Sequence, residues 1–245
     1  MAASRVWVFG DGPLATSAAR GLTGLGTTVV RISALATPGP WTWMATAPVD
    51  RASPDRVAVV VGETADAVEA WQRRAEAAGM RVGVTIVPLR IAPADVGAQI
   101  AVGTLWGPDI PWVARLQTVA AERPHALWLP NALNLRPVSP HGLAQAIVAR
   151  LEAPSHRVWV LQGTTRHSLH ELGELILRHA GHASLRPRSA PLWATALRYQ
   201  LRTAPLREWV AATRVPRETE GWEPEQTETR WDWVEPRASR GRGGG

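Results

Sequence analysis

The sequence predicts an α/β protein built on a doubly wound parallel sheet. A strand, a helix of small residues and a second strand follow one another over residues 5–32. The run RVAVVV at 56–61 is almost wholly apolar, as in parallel strands that are buried on both faces. A helical pattern at 64–78 then leads to another apolar run at 80–87. Strands that alternate with helices favour parallel pairing through right-handed crossovers.

The other elements follow from hydrophobic periodicity and from residues that begin or end helices. Ser168 and Glu171 form the pattern of a capping box, and Ser139 is a second predicted N-cap. Gly79 and Gly181 are predicted to end the helices that precede them. Strands are predicted at 5–10, 27–32, 43–47, 56–61, 80–87, 98–106 and 157–161. Helices are predicted at 13–24, 64–78, 110–121, 140–151 and 169–180.

Three regions are predicted along the chain. Residues 1–107 form a Rossmann-like core, and residues 108–213 form a small helical lobe of the substrate-binding kind, with one strand available to the core sheet. From 214 to 245 acids, prolines and glycines mix without periodicity, which predicts a disordered tail. The terminal run RASRGRGGG is short and follows acidic residues, so nucleic-acid binding is not expected. The tail is a candidate docking segment for a protein partner because it carries Trp222, Trp231 and Trp233.

The composition excludes several kinds of site. The chain has no cysteine, which excludes disulfides and thiolate metal centres. No apolar run approaches the roughly 18 residues of a membrane span, and the first residues carry no export signal, so a cytoplasmic protein is expected. All 27 residues counted as lysine or arginine are arginines. Any site that requires a lysine is therefore absent.

The turn after the first strand has the spacing G-x-G-x-x-A of a dinucleotide-binding turn. Gly10 would make the tight turn, Gly12 would let the backbone approach a pyrophosphate, and Ala15 would let helix and strand pack closely. The phosphate would lie at the start of the helix, near Pro13 and Leu14. Gly62, which ends the strand at 56–61, completes the predicted cofactor-binding set. The alternative is a tight β-α turn that holds no ligand, and the Asp11 carboxylate would repel a pyrophosphate unless it turns away.

The end of the second strand predicts which dinucleotide would bind. An acidic residue there accepts a hydrogen bond from the ribose hydroxyl of NAD, whereas an arginine favours the 2′-phosphate of NADP. This chain has Arg31 and Ser33 at that place and no acid before Asp50. NADP is therefore the predicted cofactor, with NAD as the alternative, unless Arg31 is simply an exposed charge.

Several motifs in order resemble the short-chain dehydrogenase/reductase superfamily over residues 5–200. After the Gly10 turn come AEAAGMRVGV, then GTLWGP at 103–108, which is similar to the family's R-x-x-x-Y-G-P with Trp106 in place of tyrosine. LNLRPVSPHGLAQAIVARLEAP and RVWVLQGTTRHSLHELGELILRHAG resemble the stretches that open and close the family's substrate lobe. The resemblance is to extended and atypical members related to NAD-dependent epimerase/dehydratases. It implies a Rossmann fold and a nicotinamide cofactor.

The chain departs from that family at its catalytic residues. The family uses a Tyr-x-x-x-Lys pair, in which the tyrosine is the acid/base and the lysine lowers its pKa. This chain has no lysine, and its one tyrosine is Tyr199. The helix for the pair should lie between the strands at 80–87 and 98–106, where PLRIAPADVGA is too short. His141 and Gly142 also replace the two acids of a V-D-D pattern, so no catalytic residue is assigned.

Three functions are consistent with these features. The first is a dinucleotide-binding protein without the family's catalysis, which acts in regulation or assembly. The second is an active NADP-dependent oxidoreductase or epimerase for a small or sugar-nucleotide substrate, with a rebuilt site. The third is a scaffold that binds no dinucleotide. A metal site is not expected, because the histidine pairs 167/170 and 179/182 lie at helix ends without further ligands. Ser168 is a predicted cap and lacks the nucleophile elbow of a serine hydrolase.

Overall fold

A computed structural model describes residues 5–34, 42–43, 57–89, 98–107, 110–130, 133–153, 158–163, 165–198 and 220–222. Six α-helices lie in these ranges: α1 (Gly12–Gly24), α2 (Ala65–Ala77), α3 (Pro111–Glu122), α4 (Pro140–Glu152), α5 (Leu169–His179) and α6 (Leu192–Arg198). The longer strands are β1 (Arg5–Phe9), β2 (Thr28–Ile32), β4 (Val57–Val61), β5 (Arg81–Pro88), β6 (Gln99–Val102) and β9 (Val158–Leu161). The shorter ones are β3 (Thr42–Trp43), β7 (Trp128–Leu129), β8 (Asn134–Leu135), β10 (His167–Ser168), β11 (Arg188–Ser189) and β12 (Glu220–Trp222).

The centre of the fold is an eight-stranded sheet in the order β12-β9-β6-β5-β4-β1-β2-β3. Every neighbouring pair in it is parallel. The chain runs outward from β1 to β2 on one side and from β4 to β5 on the other, so β1 and β4 meet where the direction of winding reverses. The predicted Rossmann-like, doubly wound fold is confirmed.

Both faces of the sheet are covered, as the apolar strands predicted. Val59 and Val61 of β4 pack into the core on the side of α1 and α4. Their neighbours Ala58 and Val60 pack on the opposite side, together with Val68 of α2. Alternate residues of a strand point to opposite faces, so a strand in this position buries all of its side chains.

The helix ends follow the predicted residues. Ser168 and Glu171 form a complete capping box at α5. Ser139 Oγ accepts from the N–H of Gly142 at 3.0 Å and caps α4. Gly79 and Gly181, with φ of 70° and 88°, follow the last residues of α2 and α5. These predictions are confirmed, and Thr64, which accepts from Ala67 at 3.2 Å, is an additional cap on α2.

The lobe contains short elements that the periodicity did not predict. β8 pairs with β10, and β7 pairs with β11, in two small sheets beside the central one. The strand β9 extends the central sheet. Three residues of the predicted disordered tail, Glu220–Trp222, form β12 parallel to β9. The rest of that tail, with Trp231 and Trp233, lies outside the described residues.

No helix in the described ranges is long and apolar enough to span a membrane.

Candidate functional site

Gly10 closes β1 in a space that admits no side chain. Its N–H donates to the carbonyl of Ile32 at 3.0 Å, which fixes the turn to β2. A Cβ built on Gly10 would overlap the carbonyl oxygen of Val61 at the end of β4. The glycine therefore lets the ends of β1 and β4 approach each other.

Gly12 begins α1 with a φ of +82°, which side-chain-bearing residues rarely adopt. Pro13 follows in the first turn, where its missing N–H removes no helical hydrogen bond. Leu14 is 4% and Ala15 0% exposed, so both side chains point into the core under the helix. The backbone at the start of α1 thus faces the sheet edge while its side chains anchor the helix.

Gly62 ends β4 beside this turn. Its N–H donates to the carbonyl of Ile86 at 3.1 Å. A Cβ on Gly62 would lie 2.7 Å from the backbone nitrogen of Val68, so the glycine is needed for α2 to pack close to β4. The structure therefore brings Gly10, Gly12, Pro13 and Gly62 together where the winding of the sheet reverses, which is where open α/β sheets bind ligands.

The Asp11 side chain turns toward the end of β2. Asp11 is the N-cap residue of α1, but its side chain makes no capping hydrogen bond. Its carboxylate accepts a hydrogen bond from the Ser33 hydroxyl. It also accepts one from the N–H of Ala34 at 3.0 Å. The carboxylate thus points away from the start of α1 and joins the glycine turn to the neighbouring strand end.

Arg31 lies beneath α1 rather than at the surface. The residue is 0% exposed, and Nη1 donates to Oγ1 of Thr16 at 2.9 Å. Burial lowers the pKa of Arg31, and the Asp11 carboxylate partly opposes this shift. The alternative of an exposed charge is wrong. The Nε and Nη2 atoms of Arg31 are buried as well, so contact with a 2′-phosphate would require part of the guanidinium to become exposed.

Glu63 lies over the turn, a position that the sequence motifs did not reveal. A Cβ built on Gly12 would lie 2.6 Å from Oε1 and 3.2 Å from Cδ of Glu63. The carboxylate therefore lies beside the first residue of α1. One feature of the sequence could have indicated this position. Glu63 comes directly after Gly62, at the end of β4, the strand that pairs with β1.

The connection between β5 and β6 is short. Pro88 ends β5 and Gln99 begins β6, which leaves positions 89–98 to join two adjacent parallel strands. A parallel crossover with a helix takes a dozen residues or more. Position 199, the single tyrosine, lies outside the described residues.

The residues that resemble the family's other motifs have structural roles here. Trp106 is fully buried and its ring lies 5.2 Å from that of Trp112, centroid to centroid. The backbone N–H of Trp106 donates to the carbonyl of Val138 at 2.9 Å. His141, at one of the two acidic positions, is exposed at the start of α4.

The histidines and acids of the described ranges form no group of three that would hold a metal ion. His170 Nε2 lies 3.1 Å from the carbonyl oxygen of Leu129. His167 Nδ1 lies 3.9 Å from the Glu171 carboxylate, which already belongs to the capping box.

Several solved structures share this fold, among them an epimerase and a dehydratase. UDP-N-acetylglucosamine 4-epimerase from Bacillus cereus is 11% identical with a TM-score of 0.57, over 86% of this chain and 98% of that one. The Bordetella bronchiseptica enzyme WbmF, solved in complex with NAD+, is 11% identical with a TM-score of 0.56, over 79% and 83%. TunA, an NAD-dependent NDP-hexosamine 5,6-dehydratase involved in tunicamycin biosynthesis, is 12% identical with a TM-score of 0.53, over 76% and 83%. The resemblance is thereby confirmed at the level of the fold. No protein-family model and no curated protein matches the chain.

Proposed function

We propose that this chain binds a nicotinamide dinucleotide with its pyrophosphate at the turn formed by residues 10–15. The observation that carries the proposal is the glycine turn at the place where the winding of the sheet reverses. There Gly10 and Gly12 keep the backbone open, and the N–H groups and positive end of α1 face an incoming anion. The NAD-dependent dehydratase TunA and WbmF, solved in complex with NAD+, share this fold, which supports the choice of ligand class.

Within this proposal, NAD is favoured over NADP. The end of β2 carries the Asp11 carboxylate, held by Ser33 and Ala34, and a carboxylate repels a 2′-phosphate. The position of Arg31 in the sequence predicted NADP, but its side chain is buried and donates a hydrogen bond to Thr16. NADH is therefore expected to bind more tightly than NADPH.

The proposed role is binding without the standard catalysis of the resembled family. The sequence contains no lysine, so the Tyr-x-x-x-Lys pair cannot be built. Positions 89–98 are also too few for the helix that would carry it. A protein that binds a dinucleotide without this acid/base pair suits a regulatory or assembly role. In such a role the binding of the dinucleotide has the effect, without its chemical conversion.

A second candidate is a scaffold with an empty turn. It is favoured by one observation, the Glu63 carboxylate beside Gly12, which places a negative charge where the pyrophosphate would bind.

Titration of the full chain with NADH and NADPH, followed by nicotinamide fluorescence and thermal unfolding, tests the proposal. At a tenfold excess over Kd, NADH should raise Tm by about 3 to 6 °C for a protein of this size. Inorganic pyrophosphate should compete with NADH. Absence of binding by either dinucleotide at millimolar concentration would leave the scaffold as the better explanation.

Gly12→Asp tests the location. It puts a fixed carboxylate at the phosphate position and a side chain at a φ of +82°, so NADH affinity should fall by about a hundredfold or more. Gly24→Asp is the matched control, because Gly24 is exposed at the other end of α1 and a Cβ there meets nothing within 4 Å. Unchanged affinity in folded Gly12→Asp would refute the location.

A further inference from the structure

The start of α1 lacks an anionic partner within its own first turn. The N-cap residue Asp11 directs its carboxylate to Ser33 and Ala34, and Pro13 has no N–H to offer. No acidic residue lies in the first turn of the helix. The backbone N–H groups of the first turn and the positive end of the helix dipole therefore favour an anion from elsewhere.

Glu63 supplies that anion from a different loop. It follows Gly62 at the end of β4. Its Oε1 lies 2.6 Å from the point that a Cβ on Gly12 would occupy. The residue is only half-buried, so its long side chain has room to move toward solvent. The carboxylate and a pyrophosphate would compete for the same end of the same helix.

We propose that Glu63 is an internal competitor that sets the affinity of the turn for phosphates, and that dinucleotide binding requires its carboxylate to swing away from Gly12. This inference rests on the proposed function and adds a device that regulates it. Two anions side by side repel each other, so the ligand displaces the carboxylate instead of adding to it. Weak dinucleotide binding by the native chain follows directly.

Glu63→Gln tests the competition, since it keeps the size of the side chain and removes the charge. NADH and inorganic pyrophosphate should each bind about tenfold more tightly, equivalent to about 1.4 kcal/mol. Glu69→Gln on α2 is the matched control, because it removes one exposed carboxylate of the same type, away from the turn. Glu63→Ala removes the charge and the polar end of the side chain together. It should bind NADH at least as tightly as Glu63→Gln.

The outcomes separate this inference from the proposed function. Tighter binding in both Glu63 variants, with Glu69→Gln unchanged, supports both. Binding that is unchanged or weaker in the Glu63 variants overturns the inference and leaves dinucleotide binding intact. Binding by Glu63→Gln but not by the native chain supports the competitor and overturns the proposed function. Failure of every folded form to bind overturns both, with thermal unfolding as the check on folding.

Discussion

Arg31 supports the glycine turn from below through two successive hydrogen bonds. Its Nη1 donates to Thr16 Oγ1 at 2.9 Å, and the same hydroxyl donates to the carbonyl of Gly12 at 3.0 Å. The guanidinium is fully buried, and burying a cation is costly unless it is paired and hydrogen-bonded. We infer that Arg31 is a positioning residue for the turn, acting through Thr16.

Arg31→Met is therefore expected to change NADH and NADPH binding by the same factor, since the substitution loosens the turn without removing a ligand contact. Thr16→Val, which breaks the same hydrogen bonds without changing charge, should act likewise. The measurement is the ratio of the two Kd values by fluorescence titration. A selective loss of NADPH affinity in Arg31→Met would show instead that the guanidinium reaches the 2′-phosphate.

The glycines of the candidate site could be predicted from the sequence, whereas the positions of Arg31 and Glu63 were not predicted. Gly10 and Gly12 were predicted from the sequence because a tight turn from a buried strand into a helix requires glycine, at Gly10 for lack of space and at Gly12 for its positive φ. From the sequence, Arg31 was either a ligand for the 2′-phosphate of NADP or an exposed charge, although it shares a strand face with Val29, which packs under α1. Two-residue alternation in β2 carries that signal. Glu63 was missed because its position depends on two loops, far apart in sequence, that meet only after folding.

At the scale of elements, α1 and α4 cross at a glycine. A Cβ on Gly21 of α1 would overlap the carbonyl oxygen of Pro140, the first residue of α4, and would lie 2.9 Å from the Cβ of Ala144. The capped start of α4 is thereby pressed against the helix that follows the glycine turn. This contact packs the start of α4 directly against α1.

Gly21→Ala is expected to lower the free energy of unfolding by about 1 to 3 kcal/mol, because the helices must separate to admit a methyl group. Gly24→Ala in the same helix should leave stability unchanged or raise it, since a Cβ there meets nothing within 4 Å and alanine favours helix. Chemical denaturation of both variants gives the comparison. Equal stability of the two variants would contradict the tight crossing.

Long elements were predictable because their periodicity is repeated several times. The predicted helix at 64–78 contains α2 (Ala65–Ala77), and the predicted strand at 80–87 nearly matches β5 (Arg81–Pro88). The strands β7, β8, β10 and β11 have two residues each, too few to show alternation. They exist through pairing with one another, which depends on the tertiary fold.

At the scale of the whole molecule, two features support the proposed function. The first half of the chain has the strand order of a doubly wound fold, with the glycine turn at the reversal of winding. The connection from β5 to β6, by contrast, is restricted to positions 89–98, and the sequence has no lysine. The short connection and the lack of lysine are the two features on which the proposed role, dinucleotide binding without a Tyr-x-x-x-Lys pair, depends.

Hydrogen–deuterium exchange of the full chain, with and without saturating NADH, is the most direct test of where a dinucleotide binds. Peptides that cover residues 10–16 and 62–64 should exchange more slowly with NADH, because the ligand engages the start of α1 and the end of β4. Peptides from α5 (Leu169–His179) should exchange at the same rate in both states. Unchanged exchange at the turn, or protection confined to the lobe, would contradict dinucleotide binding at this site.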